Sequence, residues 1–150
     1  MKVVDLKLTR FIPGPADAVF DVWFDPERPG GPWHGAAKAI MNLAVDGLFY
    51  FGQERGALEK KGIPVQGVGL VGHFGRFTRI DRPRAVEHTW VSQYTHGVET
   101  AVSVTFEPRD GGTQMTLVHQ GVPDDEGGRR HEGGWTFLLG RVAEHFEKRG

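Results

Sequence analysis

The chain contains no cysteine. Disulfide bridges, thiolate nucleophiles and cysteine-ligated metals are therefore excluded together. Neither sign of charge is in excess: 18 Lys and Arg stand against 19 Asp and Glu, a formal net charge of −1. Such a balance does not predict a nucleic-acid partner. Long apolar runs are missing as well. No window approaches the roughly 20 residues of a membrane-spanning helix, and the opening MKVVDLKLTR carries no signal-like hydrophobic stretch. The expectation is a cytoplasmic protein, a single domain over residues 1–150, long enough to bury a real core.

What is present is organised around the last stretch. Trp135, Leu138, Leu139, Val142, Ala143 and Phe146 recur at helical spacing and form one apolar stripe, with Arg141, Glu144, Glu147 and Lys148 turned away. Asp124, Asp125 and Glu126 stand where a cap and the helix dipole favour carboxylates, and Lys148 and Arg149 where they favour cations. Gly127–Gly128 and Gly133–Gly134 leave two readings. Either the helix starts only at Gly134, or it begins near Glu126 and Gly133 and Gly134 let another backbone or a ligand come close.

Before that helix the chain reads mostly as strand. Val3–Ile12 alternates loosely until Pro13-Gly14-Pro15 stops it, and Ala16–Phe24 reads as a helix with Val19, Phe20, Trp23 and Phe24 on one face. PERPGGPWHG reads as loop or a single turn. Ala39–Val45 and Leu48–Gln53 read as a hairpin across Asp46-Gly47, with Phe49 and Phe51 sharing a face opposite Tyr50. A long connection over Glu54–Gln66 comes next, then strands Val68–Ile80 and Val86–Val91 around Asp81-Arg82-Pro83. Val98–Glu107 and Gln114–Gln120 alternate cleanly around Asp110-Gly111-Gly112, as antiparallel strands with distinct faces do. The order of elements predicts an α+β fold in which one sheet wraps the last helix.

Candidate chemistry is sparse. Gly67–Gly72 matches G-x-G-x-x-G, with Glu87 near where a ribose-binding acid would lie, but the motif needs a strand before it and a helix after it. A polar stretch precedes it and strand character succeeds it, so the nucleotide reading fails. The seven histidines show no metal-ligand spacing, and no metal or other cofactor is predicted. His88 and His119 share the phase of Trp90 and Leu117 on the inward face, where they read as core residues or as polar anchors of an apolar pocket. Arg76, Arg79, Arg82 and Arg84 read as a solvated basic face. Ser92 and Ser103 lack a nucleophile elbow, and Glu54, Glu87 and Glu99 form no acid/base pair. No catalytic set emerges.

Several motifs together resemble a known family. They are R-x-I-P-G-P-A-D-A-V-F-D-V-W from Arg10 to Trp23, the D-G-L-F-Y-F hairpin, and the run from Gly75 to Trp90. V-S-V-T-F-E-P and G-G-T-Q-M-T-L-V-H-Q-G lie between Val102 and Gly121, then G-W-T-F-L-L-G-R-V from Gly134 to Val142. This ordered set resembles the START-like (SRPBCC, Bet v 1-like) superfamily, in the branch similar to activators of the heat-shock-protein-90 ATPase. The resemblance implies a helix-grip fold: a curved antiparallel sheet around a long C-terminal helix, two short helices after the first strand, and a hydrophobic cavity between helix and sheet. It also favours the longer helix.

On that implication Phe49, Phe51, Phe77, His88, Trp90 and Thr100 line the sheet side of the cavity, continued by Val102, Val104, Met115, Leu117 and His119. Trp135, Leu138, Leu139 and Val142 form the helix side. All are also respectable core residues, and the competing expectation is that they pack on one another and leave no void. Because a fold does not give a function, three readings stand. The leading one is a non-catalytic binding or carrier domain for a small hydrophobic molecule, as monomer or homodimer. The alternative is a polyketide cyclase/dehydrase-like enzyme, with His88 or His119 as acid or base. The third, a chaperone ATPase regulator, rests on the branch name, and the separate chaperone-binding domain of the true activators is not found in this sequence.

Overall fold

Alternating apolar residues commit each strand to one inward face, and in the computed structural model these faces join in a single seven-stranded sheet of order β1-β7-β6-β5-β4-β3-β2. The structure describes residues 1–34, 36–54 and 70–149. The strands are β1 (Val3–Ile12), β2 (Lys38–Met41), β3 (Leu48–Glu54), β4 (Leu70–Asp81), β5 (Ala85–Trp90), β6 (Thr100–Arg109) and β7 (Gly112–Pro123). All neighbours are antiparallel. Helix α1 (Ala16–Phe24) comes after β1, and helix α2 (Glu126–Arg149) closes the chain and packs along the curved sheet. This is the helix-grip α+β architecture.

The longer of the two helix readings is the observed one. Asp125 caps α2 by accepting a hydrogen bond from Gly128 N at 2.7 Å. The close approach of another backbone falls at a different glycine from the expected pair. A Cβ on Gly128 would collide with the carbonyl oxygen of Pro123, whereas one on Gly133 or Gly134 would meet nothing within 4 Å.

Two Asp-Gly dipeptides end differently. Asp110 (φ 51°) and Gly111 (φ 79°) alone join β6 to β7, both left-handed, as a tight hairpin demands. Around Asp46-Gly47 the expected arm to Val45 stops at Met41. Asn42–Gly47 instead forms a wider turn, with Asp46 N bonded to Phe77 O at 2.8 Å and Phe77 N to Gly47 O at 2.9 Å. The bonds that would have extended the ladder go to β4.

The second short helix implied by the resemblance is not found among the described residues. Pro26, Pro29 and Pro32 recur every third position beside Gly30 and Gly31, removing helical N–H donors, and the segment makes turns. It delivers Trp33 to the interior, 5.2 Å from Phe49 and 5.1 Å from Phe51 between ring centres. The connection over Glu54–Gln66 lies outside the described residues beyond Glu54, as do Gly67 and Gly69 of the glycine motif. The motif ends inside strand β4, which already holds Gly72 and continues to Asp81, so its helical requirement is unmet. No helix among the described residues is long and apolar enough to cross a membrane.

Candidate functional site

Helix α1 decides which part of the sheet is left for a ligand. Its Phe20 and Phe24 reach Phe106 and Phe77 at 5.3 and 6.2 Å, and Trp23 stacks on Trp135 at 6.4 Å. Together with Trp33 these rings fill one end of the concavity. Phe49, Phe77, His88, Val102, Val104, Met115, Leu117, Leu139 and Val142 are all buried there and pack on one another. None of them lines the remaining space.

That space is a cleft of about 100 Å³ between α2 and the β3–β5 end of the sheet. Of the residues expected from sequence, Phe51, Trp90, Trp135 and Leu138 line it. Val71, His73, Tyr94, His131 and Phe137 complete most of the wall, with Gln53 and Arg130 also facing it. Arg130 bonds Glu126 at 3.0 Å. Two of the missed residues carried a legible signal. His73 has the same strand phase as Phe77, and His131 precedes Trp135 by four, so it extends the helix stripe. Tyr94 had none, because a 3-10 turn (Gln93–Thr95) presents it. Ser92 caps that turn: its hydroxyl accepts from Tyr94 N at 3.1 Å, and Thr95 Oγ1 accepts from Ser92 N at 3.1 Å. A structural cap, not a nucleophile, is the role of Ser92 here.

Behind the cleft, Thr100 and His119 form a hydrogen-bonded relay whose direction is fixed by chemistry. The indole Nε1–H of Trp135 donates to His119 Nδ1 at 3.1 Å. Indole nitrogen only donates, so Nδ1 is bare and the ring proton is on Nε2. Nε2–H donates to Thr100 Oγ1 at 2.7 Å, and the threonine hydroxyl donates to the Trp90 carbonyl at 2.6 Å. Every polar atom of the relay is satisfied only while His119 is neutral. Burial, with the nearby His131, His88 and His73, pushes its pKa down to about 2. Burial likewise lowers His88 to about 4, although its Nδ1–H donates to Thr89 O at 2.8 Å. His73 is lowered by burial and then by His131, to about 3. Burial lowers His131 too, partly offset by its bond to Gly128 O.

These rings make a neutral, aromatic assembly. His73 stacks on Trp90 at 4.7 Å, His131 meets His119 edge-on at 4.8 Å, and Trp90 lies 4.9 Å from Trp135. Among the described residues no group of three or more His, Cys, Asp or Glu is placed to hold a metal ion. Three of the four arginines in the basic stretch are met by acids of the same chain. Arg76 pairs with Asp46 at 2.7 Å, Arg79 with Glu87 at 3.9 Å and Arg82 with Asp21 at 2.5 Å.

A long helix gripped by a curved antiparallel sheet, with an aromatic cleft between them, agrees with comparisons to known proteins. The profile of the family described as Activator of Hsp90 ATPase homolog 1-like protein matches residues 13–147. The chain belongs to this family. It is thereby a member of the START-like (SRPBCC, Bet v 1-like) superfamily, whose fold commonly binds hydrophobic ligands. Among solved structures, the AHSA1-like protein from Aeromonas hydrophila is 20% identical and superposes with a TM-score of 0.72, covering 98% of this chain and 94% of its own. ChR145 from Cytophaga hutchinsonii is 12% identical, with a TM-score of 0.72 over 99% of this chain and 98% of its own. CalU16 from Micromonospora echinospora is 19% identical, with a TM-score of 0.66 over 92% and 73%. At these identities the likeness is one of fold. Comparison with curated protein sequences finds no match.

Proposed function

We propose that this member of the family is a binding or carrier domain for a small, largely apolar molecule held in the cleft between α2 and strands β3–β5. The observation that carries the reading is the cleft wall. Phe51, Trp90, Trp135 and Leu138 supply aromatic and aliphatic surface from both helix and sheet, and Arg130 is the only fully charged side chain among the described residues that line it. Such a lining gains free energy mainly by removing apolar ligand surface from water, at about 25 cal/mol per Å². Its size favours a compact ligand, because drug-sized sites run to roughly 300–1,000 Å³.

An enzymatic reading in which His119 supplies or takes a proton is disfavoured by the relay: both ring nitrogens are already engaged, and protonating Nδ1 would break the bond from Trp135. A carrier needs no such group.

Native mass spectrometry on protein purified without detergent tests the proposal, followed by titration with a small aromatic probe read through tryptophan fluorescence. A bound mass released on denaturation, or a saturable fluorescence change abolished by Gly134→Leu, supports it. Gly134 lines the cleft and a side chain built there meets open space, so the substitution fills the site. A bare polypeptide mass together with a flat titration would remove the carrier reading.

A further inference from the structure

The cleft also contains a polar requirement that apolarity alone does not explain. Among the described residues five side-chain polar atoms are buried without a hydrogen-bond partner: Trp33 Nε1, away from the cleft, and His73 Nδ1, Trp90 Nε1, Tyr94 Oη and His131 Nε2. The last four belong to side chains that line the cleft. Buried polar atoms are normally paired, and each unmade bond is costly, so a concentration of them around one cleft points to what should enter it.

Their chemistry can be read atom by atom. His131 donates its Nδ1–H to the Gly128 carbonyl at 2.7 Å, which leaves Nε2 as a bare lone pair in the neutral ring. Trp90 Nε1–H can only donate. Tyr94 Oη can do either, and its ring lies 6.3 Å from that of His131. The wall therefore offers an acceptor and a donor on neighbouring side chains, a combination that a neutral hydroxyl satisfies from one oxygen. A carboxylate fits less well, since an oxygen of it would face the His131 lone pair with no proton to share, and Arg130, the full positive charge on the wall, is already bonded to Glu126. The volume of about 100 Å³ sets the rest of the molecule. A dry engineered cavity of ~150 Å³ accepts benzene, so this cleft encloses no more than a single ring.

Resting on the proposed binding function, we infer that the cleft selects a neutral, single-ring ligand of the phenol class, whose O–H donates to His131 Nε2 and whose oxygen accepts from Trp90 Nε1–H or Tyr94 Oη. These atoms are themselves buried, so the ligand meets them only when the side chains that carry them rotate.

Calorimetric titration of the full chain with phenol, toluene and benzoate at neutral pH tests this. Phenol should bind about tenfold or more tightly than toluene, because only phenol pairs the buried lone pair. His131→Phe should erase that preference, bringing phenol to the affinity that toluene shows for the same variant. Should this variant fail to fold, the wild-type protein supplies the same information through the ¹⁵N resonance of His131 Nε2, which should move upfield on adding phenol as the lone pair accepts a hydrogen bond. Equal binding of toluene and phenol, or an unmoved Nε2 resonance with phenol bound, would overturn the inference and leave the carrier function standing. Benzoate binding tightest would overturn it in favour of an anion site. If no probe binds, the inference falls, and the carrier reading falls with it only when native mass spectrometry also shows a bare chain.

Discussion

Replacing Thr100 by Val removes one oxygen from the Trp135–His119–Thr100–Trp90 relay and almost nothing else. The hydroxyl both accepts from His119 Nε2–H at 2.7 Å and donates to the Trp90 carbonyl at 2.6 Å. His119 and Thr100 are 0% and 5% exposed, so water does not replace what is lost. The carbonyl retains a second lone pair, which makes the orphaned imidazole N–H the dominant cost, about 1–3 kcal/mol. For a chain of this length each kcal/mol corresponds to about 2–4 °C, so the melting temperature should fall by roughly 2–12 °C. Urea denaturation of Thr100→Val, His119→Leu and the double variant gives the coupling. Once His119 is gone, the threonine oxygen has little left to lose, and the double variant should be less destabilised than the sum of the singles by about 1 kcal/mol or more. Additive losses, or a Thr100→Val variant within about 0.3 kcal/mol of wild type, would refute the relay and with it the Nε2–H tautomer assigned to His119.

Acid should loosen the fold earlier than carboxylate chemistry would. The buried His73, His88 and His119 have folded-state pKa values of about 3, 4 and 2, all below the ordinary 6.5. Unfolded chains thus bind more protons than folded ones below pH 6.5, so stability is full above it and is lost as pH falls toward the folded values. Each ring loses roughly 2 kcal/mol by about pH 5, and a melting temperature that stays flat over that interval would contradict the neutral cluster. The glycines of α2 should respond in opposite directions. Gly133→Ala, with open space around it, should stabilise by about 0.5–1 kcal/mol. Gly128→Ala, facing the Pro123 carbonyl, should destabilise by about 1–3 kcal/mol or more, and calorimetric melting of both variants checks the contrast.

The sheet and its last helix were legible because they rest on periodicity. The alternation of Val102, Val104 and Phe106 with Ser103 and Thr105 is the burial pattern observed in β6, and the Trp135-to-Phe146 stripe is the face that α2 buries. The cleft was legible only in part. Phe51, Trp90, Trp135 and Leu138 were named from phase, but phase cannot distinguish a residue that lines a space from one that fills it. That distinction was made by Trp33 and α1, whose rings occupy the concavity over Phe49 and Phe77. Trp33 arrives from a proline-rich turn with no period to read. Tyr94 depends on a local cap at Ser92, and the difference between the two Asp-Gly turns depends on bonds to Phe77, distant in sequence.

The strand order also carries a schedule. Strands β2 to β7 lie beside their sequence neighbours, but β1 pairs with β7, so that Ile12 meets Thr113 across most of the chain. Closing that circuit instead of the Asp110–Gly111 turn costs roughly 3 kcal/mol more in chain entropy, at about 0.6 kcal/mol per doubling of loop length. Strand β1, made before the other six strands of this sheet, is thus expected to be the last of them to dock. Until it does, β7 presents an open edge able to recruit strands from other chains. Pulse-labelled hydrogen exchange during refolding should find amides of the β6–β7 pair protected before those of β1, and simultaneous protection would show that assembly does not proceed in this order.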